Sequence, residues 1–357
     1  MAFRLNPLTL RKLQRFKEIK RGYYSAIGLV VLIILSLGSE LMISDRALFV
    51  SYEGEWHFPT YGDVQVGDVY RLTGRDAVVP VDYRELARHF EGSDNTVIMP
   101  LVPWGPHTND AVDGVLKAMA PDYQRAHYLG TDTTGRDVLS RLVYGFRTAI
   151  FFALAFTVLT YLLGVSIGCA MGYFGGAFDL VFQRVIEIWS NIPFLYMVII
   201  VFSVIPSTFA ISTRIAILLV IMVLFSWTGL TYYMRTETYK EKARDYTAAA
   251  LVLGAGTGRV IFRHILPNTI ATMMTFVPFT VVSAITAITA LDFLGWGLPP
   301  PTPSIGELLK QGTANLTTAP WIVTAAFVTL VFILAIVTFI GEAVREAFDP
   351  RKFTLYR

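Results

Sequence analysis

The fold class this sequence predicts is an all-α membrane protein of six transmembrane helices, with both termini cytoplasmic and a large mixed α/β extracytoplasmic insert after the first helix. Three observations predict it. Of 357 residues, 54% are hydrophobic and only 16% charged, a balance too apolar for an ordinary soluble domain. Six stretches approach the roughly 20 apolar residues that a helix needs to cross a hydrocarbon core about 30 Å thick. Lysine and arginine gather in three places that a six-crossing path puts on one side of the bilayer, where short basic segments stay.

The elements follow in order. Residues 1–22 carry Arg4, Arg11, Lys12, Arg15, Lys17, Lys20 and Arg21, so this stretch is a cytoplasmic basic N-terminus. Residues 23–43 are the first span, and they stay attached, because no small-residue cleavage site follows Met42 in "ISDRALF". Residues 44–145 form the insert. A loop of this length is translocated largely regardless of its charge. Within it "ALFVSY" and "GDVYRLTG" read as strands, and "DYREL" sets Asp82 and Glu85 at capping-box spacing ahead of a helix that Gly92 ends. The remaining spans are about 148–171, 185–205, 214–234, 269–291 and 320–341, within a membrane domain of residues 146–342. The 185–205 span is the weakest, with Pro193 near its start and Pro206 at its end, and it borrows "DLVFQRVIEIWS" as a partly buried lead-in. A cytoplasmic C-terminus, 343–357, holds Arg345, Arg351, Lys352 and Arg357. The turn between the fourth and fifth spans holds Arg235, Lys240, Lys242, Arg244, Arg259 and Arg263 on the same side.

Several chemistries are excluded or given no support. One cysteine, Cys169, allows neither a disulfide framework nor a Cys-x-x-Cys pair. His57, His89, His107 and His127 are scattered over the insert without ligand spacing, and read as surface or structural residues. There is no phosphate-binding loop and no nucleophile elbow, so the chain neither hydrolyses ATP alone nor looks like a membrane enzyme. A net charge of +3 gives no reason to expect nucleic acid. Asp179, Arg184, Glu187 and Asp292 lie toward span ends, where anchoring or helix pairing is their expected role. Gly164, Gly168 and Gly172 repeat every four residues in "GVSIGCAMG" and mark a helix face that another backbone can approach closely.

The stretch "AAALVLGAGTGRVIFRHILPN", residues 248–268, is neither span nor ordinary loop. Its three glycines lack the preceding strand of a dinucleotide-binding turn. Instead a helix from Ala248 to Leu253 ends at Gly254 as a left-handed cap. A second helix follows, with Arg259 and Arg263 on one face and Val260, Ile261 and Ile265 on the other, suited to lying on the cytoplasmic membrane surface. The small residues ahead of it leave a flat helix that can be gripped from outside.

These residues resemble the EAA loop of ABC-importer permeases, E-A-A-x-x-x-G followed by I-x-L-P. Ala249, Ala250, Gly254, Leu266 and Pro267 occupy matching positions, while Ala248 replaces the family's glutamate and His264 its isoleucine. "LGTDTTGRDVLSRLVYGFRTAI", "FLGWGLPPPTPSIGELL" and "GEAVREAFDPR" are similar to the OppC/DppC type of the peptide-importer branch, and the N-terminal third to YejE-type permeases of peptide and microcin C importers. The resemblance covers nearly the whole chain. It implies the type I ABC-importer permease fold in a bacterial inner membrane, import of peptides or peptide-like compounds, and an ATPase-coupling loop formed by the residues just named with Arg259 and Arg263. It also implies partners: a second homologous permease (YejB-like), a cytoplasmic ABC ATPase (YejF-like, one chain or a pair), an extracytoplasmic substrate-binding protein (YejA-like) and membrane lipid. No cofactor is expected on this chain, ATP and Mg being held by the ATPase. Tyr196, Ser283, Thr286 and Thr289 are candidates for the translocation path, although ordinary interhelical hydrogen bonding explains such residues equally well. A stand-alone channel or facilitator is the competing function class.

Overall fold

The computed structural model describes residues 7–112, 114–206 and 208–348; Arg4, Arg351, Lys352 and Arg357 of the basic flanks lie outside them. A short amphipathic helix, α1 (Pro7–Glu18), leads into the first apolar helix, α2 (Lys20–Leu37). Gly38 caps α2 and a single 3-10 turn follows, so the first apolar helix stops earlier than residue 43.

The insert then builds a small domain of its own. Strand β1 (Phe49–Tyr52) pairs antiparallel with β2 (Glu55–His57) on one side and later with β3 (Thr96–Ile98) on the other. Between them runs α3 (Tyr83–His89), whose N-cap Asp82 accepts the Arg84 N–H at 3.0 Å. Ala47, Val50, Tyr70, Val81, Tyr83, Leu86 and Phe90 form its buried core. "GDVYRLTG" corrects the sequence expectation: it folds as a 3-10 turn over Gly67–Tyr70 rather than a strand. An added Cβ at Gly67 would stand 2.0 Å from the Asp76 carbonyl, so the chain there is packed backbone to backbone. A two-stranded hairpin, β4 (Ala111–Val112) and β5 (Val115–Leu116), completes the insert.

The helix that holds the expected second span is longer than that span, because α4 runs over Val138–Phe174. Its N-cap is Asp137, which accepts the Ser140 N–H at 2.7 Å. At 37 residues, α4 is about 55 Å long and outreaches a hydrocarbon core of about 30 Å. Helices α5 (Gly176–Ser190) and α6 (Phe194–Val204) replace the expected single span 185–205, meeting at a bend of 74°. The cause is Pro193, which has no N–H to donate and disfavours helical geometry at Ile192. Then come α7 (Ile211–Lys242), α8 (Asp245–Val252), α9 (Thr257–Arg259), a π-helical turn Val260–Ile265, α10 (Leu266–Met273) and α11 (Val277–Leu294). The expected fifth span, 269–291, is therefore broken at residues 274–276, where Pro278 can open a helix but not continue one. The chain closes with α12 (Ile305–Ala314) and α13 (Pro320–Phe348).

Five of these helices are long and apolar enough to cross a membrane, and the bent α5–α6 pair makes a sixth if counted as one. Helix α4 packs parallel along α7, Gly164 lying against Leu230, Gly168 against Thr231 and Gly172 against Arg235, and α11, α12, α13 and α2 close around α4. The core lies between α4, α7, α11 and α13, around Phe152, Phe156, Ile285, Ile288 and Ile333. Glycine sets the closest approach. A Cβ at Gly168 would lie 2.5 Å from the Thr231 carbonyl, and one at Gly172 2.6 Å from that of Arg235, while Gly164 faces the Leu230 side chain at 3.0 Å. Two ends result. At one, α1 meets α13, with Lys12 over the Phe348 ring and Arg21 3.3 Å from Glu342, beside the 245–273 segment, since Gly341 of α13 abuts Phe279 at the start of α11. The insert and α12 occupy the other.

Candidate functional site: a capped segment and a polar cleft

The 245–273 segment is built from small residues and backbone hydrogen bonds. Helix α8 ends in a Schellman motif: Gly254, at φ +78°, donates to the Leu251 carbonyl and Ala255 to that of Ala250, both at 3.0 Å. Only a residue without a Cβ adopts this left-handed backbone freely. The motif turns the chain so that Val252 and Leu253, each 87% exposed, project from the end of the bundle. Ala248, Ala249 and Gly254 are exposed beside them, whereas Ala250 and Thr247 are buried. Phe262, 71% exposed, and the exposed Arg259 and Arg263 extend the surface.

The second helix of the segment departs from expectation. Its apolar side turns into the bundle: Val260 and Ile265 are fully buried against Cys169, Met234 and Met273. The π-helical turn directly precedes Leu266–Pro267. A widened turn relieves the clash of the Pro267 ring with the carbonyl four residues back and accommodates its missing N–H. The His264 carbonyl accepts the Asn268 side-chain amide at 2.8 Å, and the same amide donates to the Tyr246 hydroxyl at 3.1 Å. Tyr246 in turn donates to Glu241 near the end of α7. The segment is thereby clamped to α7 rather than hung from it.

On the flank of the bundle two adjoining recesses form a cleft. One, of about 400 Å³, lies between α4, α7 and α11 and is lined by Thr160, Tyr161, Ser226, Tyr233, Thr280 and Ser283 among apolar residues. The other, of about 520 Å³, reaches the α5–α6 bend at Trp189, Ser190 and Phe194. Phe156, Ser226 and Ser283 belong to both. Of the four sequence candidates for a path, only Ser283 lines this cleft. Tyr196 is 66% exposed on α6 and Thr286 is exposed on α11, and neither lines the recesses. Thr289 lies outside the recesses as well: it is 5% exposed, and its carbonyl would meet a Cβ on Gly306 of α12 at 2.3 Å. Ser226, Gly229 and Tyr233 were not singled out from sequence, although their spacing puts them on one face of α7.

At the insert end, the motifs "GTDTTGRD" and "SIGELLKQG" fold into one polar network. Arg141, fully buried, donates to Glu307 and to the Pro106 carbonyl. Arg136 spans Asp132 at 2.8 Å and Glu307 at 3.0 Å. His127, also buried, joins Asp137 at 2.9 Å and stacks on Trp104 with ring centres 4.3 Å apart. Arg84 of α3 covers the other aromatic contact of Trp104, 3.8 Å from its ring. Burial pushes the Asp82 carboxyl up, but the hydrogen bonds and charge of Arg84, with the N–H of Glu85, outweigh it and leave the group below its ordinary 3.8. Among the described residues no group of His, Cys, Asp and Glu is arranged to hold a metal ion.

A polar cleft in a bundle of helices long and apolar enough to cross a membrane suits a transport protein, and comparison decides which kind. Residues 164–354 match the family described as binding-protein-dependent transport system inner membrane component, more than half of the chain. The chain belongs to that family. It is 39% identical to the inner membrane ABC transporter permease protein YejE of Escherichia coli, over 98% of this chain and 99% of the relative. It is 37% identical to the peptidoglycan transport system permease protein YejE of Agrobacterium fabrum, over 97% and 94% respectively. A more distant relative is the oligopeptide transport system permease protein OppC of Haemophilus influenzae, 29% identical over 71% of this chain and 80% of its own length. The chain is thus an inner-membrane permease subunit of an ABC importer, a transport subunit and not an enzyme. Permeases of this family work with a partner permease, an ATPase and a substrate-binding protein.

Proposed function

We propose that this permease carries peptides or peptide-like compounds, microcin C-like molecules and cell-wall peptides included, and that residues 248–267 are the segment through which a cytoplasmic ATPase drives it. The names of the relatives support the substrate class, since peptidoglycan, oligopeptide and dipeptide transport recur among them. The observation that carries the coupling role is the pair Val252–Leu253, 87% exposed at the tip of a Schellman-capped helix. Apolar side chains held out on a rigid turn cost little side-chain entropy to bury, and a groove on a partner is what covers them. Ala248 and Ala249 beside them leave room for close approach of that partner.

In this account the end bearing α1, the described end of α13 and the 245–273 segment faces the cytoplasm, in keeping with its basic residues. The insert and α12 face outward, where the substrate-binding protein docks. ATP and Mg stay on the ATPase, a YejF-like chain or pair, and a YejB-like permease faces the cleft to complete the path. Closure of the ATP sandwich moves α8, the clamp through Tyr246 and Asn268 passes the movement to α7, and the cleft beside Ser226 and Ser283 changes its opening.

Replacing Ala249 by Trp in the reconstituted importer tests the coupling role. Forcing a large side chain into a packed contact typically costs 1–3 kcal/mol, so ATP-driven uptake of a labelled tripeptide is expected to fall about tenfold or more with the permease still in the membrane. Wild-type uptake by Ala249→Trp would count against it.

A further inference from the structure

Helices α5 and α6 are loosely held by the rest of the chain. Leu180, Val181 and Ile188 are each more than 60% exposed, and the apolar contact of α5 with its neighbours centres on Ile186, Met171, Trp227 and Phe182. Near the bend, Trp189 donates to the Leu224 carbonyl at 2.6 Å. At the other end of α5 stands Asp179, only 5% exposed. Its carboxylate receives both Nε and Nη2 of Arg235, the Tyr239 hydroxyl at 2.9 Å and the Gln183 amide at 3.0 Å. Arg184 and Glu187, the other charges on α5, pair with each other on an exposed face. Among the described residues, Asp179–Arg235 is therefore the ion pair that joins α5 to another helix.

Its placement matters more than its strength. Arg235 and Tyr239 lie on the last turns of α7, seven and three residues before the helix ends at Lys242, and α8 begins three residues later. From Arg235 to Lys242 is about 10 Å of unbroken helix, and Lys242 itself donates to the Tyr173 carbonyl of α4. Apolar faces slide over one another at small cost, because dispersion and burial are not directional. A guanidinium–carboxylate fork fixes both distance and angle, and separating it leaves a charge out of water without a partner.

We propose that the Asp179–Arg235 pair, completed by Tyr239, is the strut that passes movement of the coupling segment to α5 and, through the bend, to the α6 side of the cleft. This rests on the coupling role given above to residues 248–267. Asp179 and Arg235 are positioning residues: neither lines the cleft, and they act by making α5 travel with α7.

Spin-label distances in the full importer, in a Cys169→Ala background, test the strut and the coupling role separately. One pair joins α8 to α13 (Leu251 and Val328), the other α5 to α13 (Val181 and Val328). In the unmodified strut both distances are expected to shift between the nucleotide-free and vanadate-trapped states. In Asp179→Asn and in Arg235→Lys the α8 shift persists and the α5 shift is lost, and the exchanged pair, Asp179→Arg with Arg235→Asp, brings it back. An α5 shift of wild-type size in the single variants would overturn the strut and leave the coupling role standing. An α8 that does not move even in the unmodified chain would overturn both. Should no variant assemble with the ATPase, Asp179→Glu included, the pair is a folding element and the strut is wrong.

Discussion

Gly168 and Gly172 carry the close contact between α4 and α7. At each, an added methyl would stand nearer to a carbonyl of α7 than ordinary van der Waals contact allows, 2.5 Å at Gly168 and 2.6 Å at Gly172. Alanine improves intrinsic helix propensity by up to about 1 kcal/mol, but overpacking against backbone costs typically 1–3 kcal/mol, and the neighbour here cannot rotate away. Gly168→Ala is expected to lower the thermal unfolding temperature of the purified protein, and Gly28→Ala, where nothing lies within 4 Å, to leave it unchanged or raise it. Equal midpoints for the two would remove close packing as the reason for the glycines. Arg141 illustrates what spacing does not disclose. Nothing in "GRDVLSR" distinguishes it from Arg136 or Arg147, yet Arg141 is fully buried between Asp132, Glu307 and the Pro106 carbonyl, because partners 166 residues apart are brought together only by the bundle.

Element by element, apolar length was readable and interruptions were not. The runs that became α2, α4, α7 and α13 stand out because a continuous hydrocarbon environment demands continuous hydrophobicity. Their ends do not, since helices run past the bilayer on both sides: α4 begins at Val138 and α7 continues to Lys242. Prolines were visible, but hydropathy alone carries no direction of bend, so two expected spans became broken ones at Pro193 and Pro278. The Gly254-capped turn was legible because Gly254 and the small residues before it are a local signal. The cleft was less so, since Thr160, Ser226 and Tyr233 come together only when α4 and α7 pack. The bend itself is testable. Between labels at Arg184 and Ile200 a straight helix would span about 24 Å, and one bent midway as here about 19 Å. Pro193→Ala is expected to lengthen that distance and to reduce uptake, because the recess beside Trp189 and Phe194 depends on the bend; an unchanged distance would show that tertiary contacts, and not the proline, hold it.

At the scale of the whole molecule, the chain joins the end that carries the insert to the end that carries the 245–273 segment, the end proposed to be driven. The insert is tied into the bundle by stacked and charged groups, from Arg84 through Trp104 and His127 to the N-cap of α4 and on to α12. At the opposite end, the 245–273 segment is clamped to α7, and the pair Asp179–Arg235 ties α7 to α5. The exposed apolar faces of α5 and α6 and the open cleft call for a second permease beside them, as in the family to which the chain belongs. The coupling account stands or falls on what covers Leu253. Labelling a Leu253→Cys chain in intact cells with a membrane-impermeant maleimide, and then crosslinking it in the isolated importer, measures this directly. The account predicts no labelling from outside the cell and a crosslink to the ATPase that changes in yield when ATP is trapped. Labelling from outside, or a Leu253 that joins no ATPase in the assembled importer, would contradict it.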